Sequence, residues 1–352
     1  MSDSAQVPKA ALYYFPTSVW EEKGYGADEL DLKLVDISKG ENYAPSYLRL
    51  NPQATVPTLV VPLHKTLAPD MESRYKAIQD SKSIVEFLDK SRSTQSRTHT
   101  TSDAPAPSLS PATIAFSAVS TKLIDLLHTP AADPNALKYM NARTPDELRD
   151  LAASERPKFT ARRAALAQLL ADNEAARIRV SEKTRAFWEV KKVAMEKFLD
   201  VYDEADTPAE KLDQKALERR EAFLKDAVDA WASVRDVLTQ LNRELIGPYA
   251  LGDQLSLADL HLAAWLARLV SLAGGTLTDD GAVAIGKLEV HVGGAGGGFA
   301  LAKDFSVAEA RRRAGLPVSD PESHERQNRL AAFWDAVRER PSFKKVYKDG
   351  LH

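Results

Sequence analysis

The chain of 352 residues contains no cysteine. It therefore has no disulfide bond, no cysteine nucleophile, no thiolate ligand for zinc and no iron–sulfur cluster. It depends on no oxidising compartment, and any thiol chemistry that it performs must come from a ligand.

An excess of charge of either sign is also missing. The 50 Asp and Glu residues are nearly balanced by 47 Lys and Arg residues, which leaves a net charge of −3. Such a chain has no overall attraction to nucleic acid or to an anionic membrane, so a charged partner must be recognised locally. With 44% hydrophobic and 28% charged residues, the composition is that of an ordinary soluble globular protein, long enough for about two domains.

Long hydrophobic runs are missing as well. The longest, over residues 260–275, is interrupted by His261 and Arg268, and it is shorter than the ~20 residues of a membrane-spanning helix. Residues 1–9 lack the apolar core of a secretory signal, and no tail anchor closes the chain. We therefore expect a cytoplasmic protein without a membrane span.

The pattern of residues divides the chain into two domains. Strands are predicted over residues 11–15, 32–37, 57–61 and 75–79, and a helix over 80–90. The composition then changes to Ser, Thr, Pro and Asp, which is typical of a linker. Nearly all of the remaining chain has helical periodicity. The predicted fold class is therefore α/β followed by all-α, with domains over 1–90 and 112–352 and a linker over 91–111.

Two long periodic segments between residues 157 and 245 predict a helical hairpin that turns near Thr207-Pro208. Residues 156–192 contain ten basic and four acidic residues, whereas residues 193–236 contain seven basic and twelve acidic residues. Opposite charges suit two antiparallel helices that lie side by side. The basic arm also allows a contact with nucleic acid or a membrane surface. We favour an internally neutralised hairpin, because the aromatic residues and Gly-rich loops of nucleic-acid modules are absent.

The clearest helix is predicted over residues 255–272. Ser256 is a good N-cap, Asp259 can complete a capping box, and Leu255 and Leu260 occupy the positions of a hydrophobic staple. The other predicted elements are an amphipathic helix over 113–128, a long Gly-rich loop over 274–298 with a short strand or hairpin near 287–292, and a last helix over 325–339.

Several familiar chemical motifs are incomplete. The Gly-rich run 293–298 has neither the Gly-Lys-Ser/Thr of a phosphate loop nor the glycine spacing of a dinucleotide fingerprint. His324 begins an apparent zincin motif, but Asn328 stands where the second His is required. No Gly-x-Ser-x-Gly occurs, and the scattered histidines predict no metal site.

One specific arrangement remains in the first 90 residues. The first strand leads into Pro16-Thr17-Ser18, the segment Asn51-Pro52-Gln53-Ala54-Thr55-Val56-Pro57-Thr58-Leu59 opens the third strand, and Gln79-Asp80-Ser81 opens a helix. In this order, and followed by a helical domain with a Ser-x-x-Asp box, the chain resembles the glutathione S-transferases.

The resemblance implies a thioredoxin-like, glutathione-binding N-terminal domain followed by an all-helical C-terminal domain. A long helical hairpin is inserted at about residues 131–245, similar to the extended loop of the ganglioside-induced differentiation-associated branch, whose terminal membrane anchor is missing here. The family further implies glutathione as co-substrate, a small hydrophobic electrophile, a role in detoxification and a homodimer.

Three positions match the family's glutathione site. Val56-Pro57 matches its cis-proline turn, where the Val56 N–H and C=O would pair with the cysteinyl backbone of glutathione. Within Gln79-Asp80-Ser81, the helix start favours a carboxylate, so Ser81 would bind the γ-glutamyl carboxylate and Asp80 its ammonium group. Two alternatives stay open: a trans proline that starts a strand, and Asp80 acting only as an N-cap.

Ser18 is the candidate catalytic residue. It follows the first strand at the spacing of serine-type transferases, in which a hydroxyl donates a hydrogen bond to the glutathione sulfur and stabilises the nucleophilic thiolate. Tyr14 is the alternative hydroxyl, and Ser18 as a turn residue without a catalytic role stays open. Because only eleven residues separate Ser18 from Leu30, we expect the family's first helix to be shortened.

Two functions of different classes follow from the sequence. The first is a serine-type glutathione transferase that conjugates glutathione to small hydrophobic electrophiles. The alternative is a non-catalytic protein of the same fold whose helical hairpin binds a protein partner as a scaffold. A peroxidase or isomerase that uses the same bound thiol is a third possibility.

Overall fold

The structure is a computed structural model that describes residues 9–14, 25, 29–62, 75–92, 107–294 and 297–351. Its N-terminal part is built on a four-stranded sheet, and its C-terminal part is mostly helical. Among the described residues, no helix combines the length and the apolar character that a membrane span requires.

The sheet has the strand order β2-β1-β3-β4. Strands β1 and β2 are parallel, and β3 runs antiparallel to both β1 and β4. The strands are β1 (Ala10–Tyr14), β2 (Leu30–Leu34), β3 (Thr58–Pro62) and β4 (Tyr75–Ile78), with a short helix α1 (Pro45–Leu48) before β3 and helix α2 (Ser81–Ser91) after β4. This thioredoxin-like arrangement confirms the predicted fold of the N-terminal domain.

The sheet packs against α2 through apolar side chains that lie on one face of each element. Leu12 of β1 and Leu59 of β3 are buried together with Ile84 and Leu88, which stand four residues apart on α2. Residues at this spacing share one helix face, while every second strand residue shares one sheet face. The small N-terminal core therefore lies between the sheet and α2.

Ten further helices and a short two-stranded ribbon follow in the described C-terminal part. They are α3 (Ile114–Leu127), α4 (Pro134–Lys138), α5 (Pro145–Glu174), α6 (Glu182–Tyr202), α7 (Gln214–Glu244), α8 (Leu257–Leu272), α9 (Gly281–Gly293), α10 (Val307–Arg313), α11 (Arg329–Arg338) and α12 (Pro341–Val346), with the antiparallel pair β5 (Phe305–Ser306) and β6 (Arg326–Gln327). The predicted all-helical C-terminal domain is confirmed, apart from this ribbon. Its main core surrounds α8 and includes the buried Trp231 and Trp334.

The predicted start of α8 is confirmed. The backbone N–H and the hydroxyl of Ser256 both donate hydrogen bonds to Asp259 Oδ2, at 2.7 and 2.6 Å. The other carboxylate oxygen, Oδ1, accepts the backbone N–H of Ala250 at 2.6 Å. The capping box thus also holds the chain segment that precedes the helix.

The predicted break near Thr207-Pro208 is present, since it lies between α6 and α7, but the prediction of one continuous helix before it is wrong, because this arm is divided into α5 and α6. Helices α5 and α6 pack against each other along their length, and they meet at a turn that contains Ala176 with a φ of 55°. The turn contains neither Gly nor Pro. The sequence therefore gave no signal that one helix ends there and another begins. A second core lies between these two helices, and it contains Phe159, Trp188 and Tyr202.

The prediction of a long loop over residues 274–298 is also wrong, because residues Gly281–Gly293 form α9. Asp280 caps this helix by accepting the backbone N–H of Val283 at 2.9 Å. Ala284, Ile285 and Leu288 are buried on one side of it. The helix predicted over 325–339 corresponds to α11, which begins later, at Arg329, and ends at Arg338, and Pro341 begins a further short helix, α12.

The end of the predicted linker is docked between the two parts of the chain. Leu109 is buried in the helical core, and its N–H and that of Ser110 donate to the Asp89 carboxylate of α2, each at 3.0 Å. The carbonyl of Leu109 accepts the Leu257 N–H at 3.0 Å. Residues 107–111 therefore connect α2 to the start of α8.

Candidate functional site

A cavity of about 450 Å³ lies between the thioredoxin-like part and the helices. Its N-terminal wall includes residues 54–57 and Ser81. The helical wall comes from α3, α4, α5 and α8, and it includes His128, Tyr139, Arg162, His261, Trp265 and Arg268. The cavity therefore lies where a cleft between two domains was expected.

The segment 51–57 is held in shape by three buried side chains. Asn51 Nδ2 donates to the Thr55 carbonyl at 2.9 Å, and the Tyr47 hydroxyl donates to the same oxygen at 2.6 Å. Asn42 Nδ2 donates to the Ala54 carbonyl at 2.7 Å. Ala54 has a φ of 57°, a conformation that a residue with a Cβ adopts only when its surroundings impose it. The network accounts for this backbone.

The turn presents a free backbone edge to the cavity. The Val56–Pro57 peptide bond is cis, as expected from the sequence. Within the described part of the chain, neither the N–H nor the C=O of Val56 forms a hydrogen bond. Val56 is half-buried and lines the cavity, so an extended ligand can pair with these groups.

Residues 79–81 contribute to the site unequally. Ser81, the first residue of α2, lines the cavity. Asp80 is the N-cap, and its Oδ1 accepts the Ser83 N–H at 2.8 Å. Burial acts to raise the pKa of Asp80, but the hydrogen bonds from Ser83 and the nearby His128 outweigh it, so the pKa is lowered. The side-chain amide of Gln79 is occupied, because it donates to the Leu50 carbonyl at 2.8 Å.

The two candidate catalytic hydroxyls are placed differently. Ser18 and the segment predicted to be shortened lie outside the described residues, apart from Tyr25 and Glu29. Tyr14 is described; its side chain packs against the N-terminal core, and it is not among the residues that line the cavity. The structure therefore does not bring the Tyr14 hydroxyl into the cleft.

A pair of histidines that the sequence did not single out stands opposite Ser81. Nε2 of His128 lies 3.1 Å from Nδ1 of His261. His128 ends α3, while His261 is buried in the first turns of α8. Burial, followed by the charges of His128 and Lys82, lowers the pKa of His261 to about 4, although Asp80 acts in the opposite direction. His261 is therefore held neutral at the wall of the cleft.

One sequence signal points to this wall. His261 and Arg268 interrupt the longest apolar run, and they stand seven residues apart. On a helix this spacing places both side chains on one face, together with Trp265. No comparable signal marks Arg162, which reaches the cavity from α5. Within the described ranges, no group of three or more His, Asp or Glu residues has the arrangement of a metal site.

Comparison with known proteins supports the resemblance in the N-terminal part. The family model described as glutathione S-transferase, N-terminal domain, matches residues 22–91. The matched segment contains the Val56-Pro57 turn and the start of α2.

Solved structures similar to this chain share little sequence with it. The β-etherase LigF from Sphingobium sp. strain SYK-6 is 16% identical with a TM-score of 0.45, and the match covers 97% of this chain and 100% of that one. Gtt2 from Saccharomyces cerevisiae is 15% identical with a TM-score of 0.44, covering 96% and 99%. The theta class glutathione S-transferase from Xanthomonas axonopodis pv. citri, solved with glutathione bound, is 14% identical with a TM-score of 0.41, covering 97% of each chain. The family resemblance therefore rests on residues 22–91, which include the N-terminal wall of the cavity.

Proposed function

We propose that the protein binds glutathione in this cleft and transfers it as a thiolate to a small hydrophobic electrophile. In this proposal it is a cytoplasmic, serine-type glutathione transferase with a role in detoxification. It forms a homodimer and is related to the branch with an extended helical insertion.

The observation that carries the proposal is the convergence of two binding features on one cavity. The unpaired N–H and C=O of Val56 suit a peptide backbone, since an extended ligand gains affinity by pairing with such an edge. Ser81 adds a hydroxyl and the positive end of α2, which favour a carboxylate. Glutathione carries both groups, a cysteinyl backbone and a γ-glutamyl carboxylate.

Asp80 has two roles in this proposal. Its Oδ1 caps α2 through the Ser83 N–H, while the exposed carboxylate stays ionised and can receive the γ-glutamyl ammonium group. A lowered pKa is consistent with this charge at neutral pH.

Ser18 supplies the activating hydroxyl in the proposed reaction. A hydrogen bond to the glutathione sulfur stabilises the thiolate and lowers the pKa of the thiol. The thiolate then attacks an electrophilic carbon in the part of the cleft formed by the helices. Because the protein has no cysteine, the sulfur nucleophile comes from glutathione alone.

Calorimetric titration with glutathione tests the binding step. We expect Ser81→Ala to weaken binding about tenfold, since a hydrogen bond to a charged group contributes about 1.5–3 kcal/mol. Ser91→Ala, at the exposed end of the same helix, is the matched control and should leave the affinity unchanged. A wild-type protein that binds no glutathione would overturn the proposal.

Conjugation kinetics test the chemical step. Ser18→Ala should retain glutathione affinity but lower kcat by about 100-fold, the usual effect of removing one stabilising donor. Tyr14→Phe should leave kcat unchanged. The reverse result, with activity lost only in Tyr14→Phe, would transfer the catalytic role to Tyr14.

The second candidate, a non-catalytic scaffold of the same fold, is favoured by one observation. Val190 and Val193 on α6 are 67% and 51% exposed, and they lie together on a surface lined also by Ala194. Exposed apolar residues in a group are typical of a protein-binding surface. The glutathione titration separates the two candidates, because the scaffold requires no affinity for glutathione.

A further inference from the structure

The cleft extends beyond the part that borders Val56. A second cavity of about 300 Å³ adjoins the first, and the two share part of their lining: Ile37, Pro134, Asn135, Tyr139, Arg162 and Arg268. The two cavities therefore adjoin along these residues, and together they make up the cleft. Val56 lies at one end, and Lys138 and Lys158 lie at the other.

Positive charge dominates this space. Among the described residues that line it, Lys138, Lys158, Arg162 and Arg268 are cationic, whereas Asp133 and Glu155 are the carboxylates.

Both carboxylates are already engaged by the protein. Asp133 caps α4 by accepting the Asn135 N–H at 2.9 Å. Glu155 Oε1 accepts Lys158 Nζ at 2.5 Å. Neither carboxylate forms an ion pair with Arg162.

Arg162 is an uncompensated cation of the cleft. Within the described chain its guanidinium forms no ion pair, and its buried Nε has no hydrogen-bond partner. The group lies over the rings of Tyr139 and Phe159, 5.8 and 5.6 Å from their centroids. Ring faces attract the cation and fix its position, but they accept no N–H···O hydrogen bond. The planar guanidinium thus retains donors suited to a carboxylate.

The surroundings of Lys138 lower its pKa. Partial desolvation lowers its pKa first, and Lys158 and Arg268 lower it further, while Glu155 opposes them. Cations that are crowded in this way are stabilised by an anionic ligand.

The lining also includes apolar and aromatic side chains. Trp265 is 5% exposed, and its indole N–H is satisfied by the Ala132 carbonyl at 3.1 Å. Its ring is therefore available for apolar contact with a ligand. Tyr139 and Leu260 continue this surface.

We propose that the cleft selects an acidic electrophile, an aromatic or similarly apolar molecule whose carboxylate is held by Arg162 with the support of Arg268. Its reactive carbon then faces the Val56 end, where glutathione is proposed to lie. This inference rests on the proposed function, and it narrows the substrate class from hydrophobic electrophiles in general to those that carry an anion.

A matched pair of compounds tests the inference. The probes are 4-chloro-3-nitrobenzoate and its neutral analogue 4-chloro-3-nitrobenzamide. In the reaction the glutathione sulfur bonds to carbon 4, chloride leaves with the electron pair of the C–Cl bond, and the thiol proton passes to solvent. The carboxylate or amide is unchanged, so the two probes differ only in the group that Arg162 would recognise.

The Kd of each probe is measured by calorimetry without glutathione, and kcat/KM is measured with glutathione. We expect the wild-type protein to bind the benzoate about tenfold more tightly than the benzamide. Arg162→Gln should abolish this preference, and Arg162→Lys, which keeps the charge, should retain part of it. Arg163→Gln, the next residue of α5 and outside the cavity lining, should retain all of it. Circular dichroism verifies that each variant is folded.

The outcomes separate the two proposals. Equal affinity of the wild-type protein for both probes, or a preference that survives in folded Arg162→Gln, would overturn the inference even if glutathione binds. A preference for the benzoate in a protein that neither binds glutathione nor conjugates it would overturn the proposed function, and with it the assignment of the acid as electrophile.

Discussion

The surroundings of His261 determine its protonation state. It is 8% exposed, and its Nδ1 lies within hydrogen-bond distance of His128 Nε2. In such a contact one ring nitrogen must donate a proton and the other must accept it. Burial disfavours a charged imidazole at position 261, and this is the main reason why the pKa of His261 is lowered. A second proton on the pair would also leave two N–H donors facing each other.

This arrangement predicts a pH dependence of stability. The unfolded chain protonates His261 near pH 6.5, whereas the folded protein keeps it neutral down to about pH 4. Between these values the unfolded state binds more protons, so the stability present above pH 6.5 is lost as the pH falls. We expect His261 to account for a loss of about 2 kcal/mol between pH 7 and pH 5.

Urea unfolding at pH 7 and pH 5 measures this loss. In His261→Gln the difference in the free energy of unfolding between the two pH values should shrink by about that amount. His324→Gln, at an exposed position, should behave like the wild-type protein. An unchanged difference in His261→Gln would show that another group causes the pH dependence.

At the scale of single elements, local signals predicted the structure well. The Ser256-x-x-Asp259 box identified the start of α8, because both partners of a capping box lie within one turn. The strand-like residues of β1 and β3 and the helical periodicity after Asp80 likewise predicted the sheet and α2, because these patterns are local. The Val56-Pro57 turn and Ser81 were assigned to one site by the family resemblance, which depends on short local motifs, and both line the cavity.

Elements defined by distant contacts could not be predicted in this way. Helix α9 was missed because three glycines lower the helix propensity of its segment. Packing overrides that propensity: Gly281 lies so close to α11 that a Cβ there would stand 2.1 Å from the Ala331 carbonyl oxygen. His128 and Arg162 were missed for a related reason, since they reach the cleft from helices distant in sequence.

The glycines of α9 yield a matched pair of variants. Gly281→Ala should destabilise the protein by about 1–3 kcal/mol, since the methyl group would push the two helices apart. Gly286→Ala should stabilise it by about 0.5–1 kcal/mol, because a Cβ there meets nothing within 4 Å and alanine favours the helix. Thermal and urea unfolding measure both effects. Equal effects of the two substitutions would contradict the close packing at Gly281.

At the scale of the whole molecule, the inserted helices α5 and α6 are part of the support of the site. Trp188 of α6 is fully buried and donates its indole N–H to the Tyr43 carbonyl at 3.0 Å. Gly40, with a φ of 78°, lies so close to α5 that its Cβ would stand 3.0 Å from that of Ala165. Ala54 belongs to the same core, so the insertion packs directly behind the turn that carries Val56.

The charge pattern alone suggested a different role for this insertion. It predicted that two arms of opposite charge neutralise each other. In the structure, Arg156 of the basic arm does pair with Asp203 and Asp206 of the acidic arm, but other ion pairs lie along a single helix, as between Arg185 and Glu189. Such pairs contribute little to the association of helices. The aromatic residues hold the insertion in place, and charge counting does not detect them.

The position of Trp188 predicts that α6 keeps the backbone of residues 40–57, including the Val56-Pro57 turn, in a fixed conformation. Trp188→Phe removes the hydrogen bond to Tyr43 and leaves a buried carbonyl unpaired, which should lower the free energy of unfolding by about 1–3 kcal/mol. Since Tyr43 and Ala54 share one core with Trp188, backbone amides over residues 40–57 should also exchange faster, as measured by hydrogen–deuterium exchange mass spectrometry. Val190→Ala, exposed on the same helix, should change neither quantity. A loss of stability without faster exchange in this segment would mean that α6 stabilises the protein without bracing the turn.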